Sequence, residues 1–193
     1  MGCPFEQRVD PDRVVDLARR AVDAGASSIG LADTIGVAVP TEVAFLLDRV
    51  VPVVDVSVGV HLHDTRGLGI ANALTALDAG ATRVDGSVGG LGGCPFAPGA
   101  SGNVALEDLA HLLNESGRPT GLSVPGLIDA ARLACDAVGR AGRVGLALLV
   151  QGDRGLLDAQ LLLGGDADGV GPGLRVDPRA EPQLEGAQTH VQA

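Results

Sequence analysis

The sequence predicts an α/β fold built on a parallel sheet. Strand-like and helix-like segments alternate in units of about 30 residues, the spacing that parallel strands need for their crossover helices. The stretches DAGASSIGLADTIG and DAGATRVDGSVGG each read as helix end, glycine stop, strand and glycine-rich loop, and ADTIG and HDTRG echo each other 31 residues apart. The clearest strand also has two unlike faces. Val56, Val58, Val60 and Leu62 point one way, and Ser57, Gly59, His61 and His63 the other. Polar residues on one face suit a barrel interior better than an open doubly wound sheet, whose strands are apolar on both faces. In either architecture ligands collect at the carboxyl ends of the strands.

The elements follow in order. Asp10 can cap a first helix and Pro11 fits its first position, with Val14, Leu17, Ala18, Ala21 and Val22 as the apolar stripe and Gly25 as the stop. A strand is expected over about 28–32. A second helix starts near Thr41, with Val43, Leu46, Leu47 and Val50 on one face. The two-faced strand runs over about 56–63. A third helix carries Ile70, Ala73, Leu74 and Leu77 and stops at Gly80, and a third strand is expected over about 83–88. Beyond the loop GGLGGCPFAPGASGN, helices are expected from Leu106 to about Leu113 and over Leu127–Val138. RVGLALLVQG fits strand and helix equally. The last forty or so residues, rich in Gly, Asp and Pro, show no periodicity and read as an irregular tail. The division expected is a domain over 1–145 and a tail over 146–193.

Composition narrows the function. Apolar residues make up 46% of the 193 residues, enough for one sizeable core, yet the only aromatics are three Phe, so Val, Leu, Ile and Ala must build that core. A net charge of −10 excludes the clustered basic surface that nucleic acid or an anionic membrane requires. Cys3, Cys94 and Cys135 form no CxxC pair, so neither a zinc knuckle nor a disulfide framework is expected. No apolar run approaches membrane-span length and no signal-peptide pattern is visible, so the expected location is the cytoplasm. A homo-oligomer is left open.

The chemistry concentrates in GVHLHDTRG. His61 and His63, at i and i+2 of a strand, share one face, and two neutral imidazoles can converge on one divalent cation. Hydrogen-bonded interior histidines without a metal are the alternative. A cation also needs a third donor, and the glycine loop offers candidates. Cys94 stands between Gly93 and Pro95, exposed to a neighbouring site or simply buried as free cysteines often are. Asn103 precedes a helix, where it would cap the first turn or present a carbonyl oxygen to a hard cation. Asp33, in ADTIG, would cap a turn or act in the site. Glu107 and Asp108 fall in the first turn of a helix, where carboxylates complement the dipole. Cys135 lies on an apolar helical face and reads as core.

GVHLHDTRGLGIANALTALDAGATRVDGSVGGLGGCPFAPGASGNVALEDL resembles the hydroxymethylglutaryl-CoA lyases, within the wider family of TIM-barrel lyases and synthases; GCPF and GLADTIGVAVP match in the same order. The cysteine-bearing loop is the most specific part, since related condensing synthases and aldolases share the His-x-His strand but lack the Cys. The resemblance implies that His61, His63 and Asn103 hold Mg2+ or Mn2+, that His61 is also catalytic, and that Cys94 and Asp33 assist proton transfer. The reaction implied is cleavage of 3-hydroxy-3-methylglutaryl-CoA to acetyl-CoA and acetoacetate, a step of leucine degradation, with an acyl-CoA as the small-molecule partner. It further implies that the chain is the carboxyl-terminal part of a TIM (β/α)8 barrel, incomplete and unable to close on its own, followed by helices and an irregular tail. The family's first strand carries an arginine beside a metal-binding aspartate, and the chain has no such segment. On that reading the chain alone is a fragment with impaired activity, or a non-catalytic remnant that binds through an exposed barrel edge.

Overall fold

The structure, a computed structural model, describes residues 1–93, 96, 99 and 101–139. A short hairpin comes first, β1 (Gly2–Cys3) antiparallel to β2 (Gln7–Arg8). Then α1 (Pro11–Asp23), β3 (Ser28–Asp33), α2 (Pro40–Val50), β4 (Ser57–Leu62), α3 (Gly69–Asp78) and β5 (Arg83–Asp85) alternate, and α4 (Leu106–Glu115) and α5 (Val124–Val138) follow. The sheet is parallel, in the order β3-β4-β5, with Ser28 opposite Ser57 and Gly59 opposite Arg83.

The alternation of strand and helix predicted from the sequence is therefore present, and the α/β class with a parallel sheet stands. The barrel was expected to be incomplete, and the described strands form an open three-stranded sheet, with no closed barrel among the described residues. Three strands cannot satisfy the stagger that closure requires. RVGLALLVQG and the 146–193 tail lie outside the described residues.

Local chemistry accounts for the element ends. The Asp10 carboxylate accepts the Asp12 N–H at 2.9 Å, and Gly25 ends α1 with a left-handed φ of 98°. Ser123 accepts the Gly126 N–H at 3.3 Å and starts α5 three residues before the apolar stripe begins. α3 packs its expected stripe of Ile70, Ala73, Leu74 and Leu77 against the core, and its smaller residues are the more deeply buried. Gly69, Asn72, Ala73 and Ala76 are buried, and the Asn72 amide donates to the Ala38 carbonyl at 2.8 Å. Small residues let α3 and α2 approach closely.

The core lies between the sheet and its helices. Val58, Val60 and Leu62 of β4 pack with Val43, Leu46, Leu47 and Val50 of α2 and with Ile29 and Leu31 of β3. Aliphatic side chains do all of this, and Phe5, Phe45 and Phe96 are at least half exposed. The other face of β4 and β5, with Gly59, His61, Arg83 and Asp85, turns away from the helices. Among the described residues, no helix is long and apolar enough to cross a membrane.

Candidate metal centre at the carboxyl end of β4

β4 ends at Leu62, and the next residues acquire a new partner. The Leu62 carbonyl accepts the Val104 N–H at 3.1 Å, and the Asp64 N–H donates to the Gly102 carbonyl at 3.0 Å. These two bonds bracket an antiparallel bridge between His63 and Asn103. Residues so placed form the non-hydrogen-bonded kind of pair, with Cα atoms about 4.5 Å apart and side chains on one face. An imidazole and an amide 40 positions apart in the chain are thus brought side by side. The His61 ring, two residues back along the strand, lies edge-on to His63 with centroids 5.2 Å apart at 77°.

The polar atoms of this pair are unequally satisfied. Asn103 Nδ2 donates to the Leu91 carbonyl at 2.9 Å. Asn103 Oδ1 and His63 Nδ1 are both buried without a protein hydrogen-bond partner. Burying such acceptors without a donor is unfavourable, by roughly 1–3 kcal/mol each. A cation would satisfy both. Asn103 does not cap the following helix: the N-cap of α4 is Ala105, so the capping alternative falls. Among the described residues no three His, Cys, Asp or Glu side chains cluster as a metal set; the group here is two imidazoles and an amide oxygen.

Burial of the His63 ring is the main cause that lowers its pKa, and the nearby His61 adds to it; the carbonyl and charge of Asp33 oppose the shift. The ring is thereby held neutral, the form that binds a metal. Because the folded value is depressed, the stability this ring contributes is present above its unfolded value, about 6.5, and is lost as pH falls through the folded value. Thermal melts of the metal-free chain between about pH 7.5 and 5 are expected to decline on acidification, and His63→Gln is expected to flatten the upper part of that decline. Superimposable melting curves for the two proteins would show that His63 contributes nothing.

Asp33 is fully buried at the end of β3. Its carboxylate accepts the Ala38 N–H at 2.9 Å and the Val37 N–H at 3.3 Å, so it caps the turn that follows its strand. That turn carries Gly36, where an added Cβ would meet the Thr65 side chain and, at 2.9 Å, the His63 carbonyl. Asp33 therefore braces the loop against the histidine strand. Cys94 lies outside the described residues.

Glu107 stands in the first turn of α4, as expected, but its tertiary role was missed: it is fully buried, and its two oxygens accept the Gly89 N–H at 2.9 and 3.1 Å. Burial raises its pKa; its own N–H and that of Gly89 oppose the rise, and Asp108 adds to it. Cys135, read as core, is buried, and its sulfur packs on Gly89.

The HMGL-like family model matches residues 1–134. The chain belongs to the HMGL-like family. Its relatives include an (R)-citramalyl-CoA lyase of Chloroflexus aurantiacus, 51% identical over 143 residues, which are 72% of this chain and 44% of that protein. A mitochondrial hydroxymethylglutaryl-CoA lyase of mouse is 45% identical over 141 residues, 72% of this chain and 43% of the relative. Among solved structures, the HMG-CoA lyase of Acinetobacter baumannii in complex with coenzyme A and 3-methylmalate superposes with a TM-score of 0.72 at 39% identity, over 79% of this chain and 50% of the other. The Bacillus subtilis HMG-CoA lyase gives 0.71 at 38% identity, over 77% and 50%. This HMGL-like chain thus spans less than half the length of the curated relatives it matches. The match occupies the amino-terminal part of the chain and does not carry the placement in the carboxyl-terminal part of a barrel expected from the sequence.

Proposed function

We propose that this chain carries the cation-binding part of a carbon–carbon lyase site that cleaves 3-hydroxy-3-methylglutaryl-CoA to acetyl-CoA and acetoacetate. The observation that supports this best is the His63–Asn103 bridge, which leaves two buried acceptors unsatisfied beside a second imidazole. In this reading His61, His63 and the Asn103 amide oxygen hold Mg2+ or Mn2+. Two imidazoles and one neutral oxygen leave further positions for substrate oxygens. When bound, the cation would supply Lewis-acid polarisation of the substrate's C3 hydroxyl and carboxylate oxygens.

The chain's own groups do the rest. His63 is buried and neutral and serves as a fixed donor atom. His61 is only partly buried and has access to the substrate side, where it can exchange a proton. A base removes the C3 hydroxyl proton, the C2–C3 bond breaks, and its electron pair passes into the thioester enolate. Protonation at C2 gives acetyl-CoA, and C3 becomes the ketone of acetoacetate. Cys94 is assigned to that proton transfer. Asp33, whose carboxylate is already engaged by two backbone donors, retains lone pairs for a further proton. The reading places the reaction in the cytoplasm.

A second substrate is favoured by one finding. The relative at 51% identity is an (R)-citramalyl-CoA lyase. Citramalyl-CoA has its carboxylate directly on C3, and the same bond cleavage yields acetyl-CoA and pyruvate. The test is a chimera in which the matched segment of this chain replaces its counterpart in the Chloroflexus enzyme. Release of acetyl-CoA dependent on Mg2+ or Mn2+ is expected, with Cys94→Ser reducing it at least about hundredfold. The faster thioester identifies the substrate. A folded chimera that cleaves neither thioester would remove the lyase reading.

A further inference from the structure

The Leu91 carbonyl that receives the Asn103 amide belongs to a turn with its own support. Val88–Gly90 forms a single 3-10 turn, in which Gly89 and Gly90 take left-handed φ values of 66° and 59°. Glu107 reaches across from α4 and grips the N–H of Gly89 with both oxygens. On the other side Cys135 and Ala131 of α5 pack against Gly89. Two residues further on, the Leu91 carbonyl accepts from Asn103 Nδ2 and from the Ser87 hydroxyl.

An amide group is planar, so fixing its nitrogen fixes its oxygen on the opposite side. A buried carboxylate that served only packing would be poorly chosen. Leucine has similar volume and carries no desolvation penalty. Among the described residues, the hydrogen bonds of Glu107 go to Gly89 and not to the histidine pair. Besides its own N–H, the carboxylate engages the Gly89 N–H, and so ties α4 to the position of Gly89.

We propose that Glu107 is a positioning residue: by anchoring Gly89 it sets the Leu91 carbonyl, and through it the direction in which the Asn103 amide oxygen points. The consequence for cation binding rests on the reading of Asn103 as a donor; the geometric claim does not. Partners that orient a metal's donors typically change affinity 10–100-fold when removed.

The test uses the full 193-residue chain and NMR. Glu107→Gln keeps a carbonyl oxygen for the Gly89 N–H. Glu107→Leu keeps the volume and removes the acceptor, and Glu107→Asp, one methylene short, is the second disrupting variant should the leucine protein fail to fold. Hydrogen exchange of the Asn103 side-chain NH2 is expected to match wild type in Glu107→Gln. It is expected to quicken at least about tenfold in the Leu or Asp variant, with the amides of Val58 and Val60 unchanged. Equal Asn103 exchange in wild type and the disrupting variant would overturn the proposal, and so would exchange that quickens equally in Val58 and Val60. Titration with Mn2+ then reads affinity from broadening of the His63 and Asn103 resonances, with about tenfold more Mn2+ needed in the disrupting variant. If Mn2+ broadens neither residue in wild type, the cation reading fails, while the exchange rates still decide the role of Glu107.

Discussion

His63→Ala in the chimeric lyase is expected to lower acetyl-CoA release by more than about a hundredfold. His63 is the member of the donor set that is both buried and held next to Asn103 by backbone bonds on either side. Its loss removes one imidazole, and the neighbouring His61 cannot shift across because its own strand registers Ala32 and Asp85 beside it. The fold should tolerate the change, because the apolar face of β4 is untouched. The measurement is turnover against Mn2+ concentration, with a thermal melt as control. A folded His63→Ala chimera that retains wild-type turnover and cation dependence would take His63 out of the site.

Gly102→Ala is expected to destabilise the chain by about 3 kcal/mol, the upper end of the ordinary range for overpacking. A Cβ at this position would overlap the Gly90 carbonyl oxygen, lie 3.0 Å from the Gly90 carbonyl carbon and 3.3 Å from the Gly92 oxygen. These are backbone atoms, so they cannot swing aside as a side-chain tip would. The strand carrying Asn103 would have to part from the turn that receives its amide. Urea unfolding of the chain measures the effect. An alanine variant within about 0.5 kcal/mol of wild type would mean that the two segments are not packed together as described.

Much of the fold was legible because periodicity and capping agree. Asp10, Pro11 and Gly25 mark α1 at both ends, and the Val43–Val50 stripe of α2 is the one the core uses. The phase of β4 was readable too, since alternation of Val with small and polar residues translates directly into two faces. Other elements were not legible. The β1–β2 hairpin pairs only two residues per strand, too few for any period. β5 was expected to reach Val88 and stops at Asp85, because the chain at Val104–Leu106 takes over as partner: Ser87 donates to the Val104 carbonyl and accepts from the Leu106 N–H. That crossing also hid the site. The proximity of His61 and His63 is a two-residue fact, but the approach of Asn103 depends on a bridge between residues 40 apart. The place of Glu107 in the first turn of α4 was legible, but not its contact, because it accepts from a backbone N–H, which no side-chain pattern records.

The strands of the sheet lie side by side in the order in which they are synthesised. Each new strand–helix pair can therefore settle against the one just made, with short loops to close and no earlier strand to displace. A chain arranged this way is suited to gaining structure progressively as it leaves the ribosome, and to accepting or losing whole repeats at an edge without scrambling those already in place.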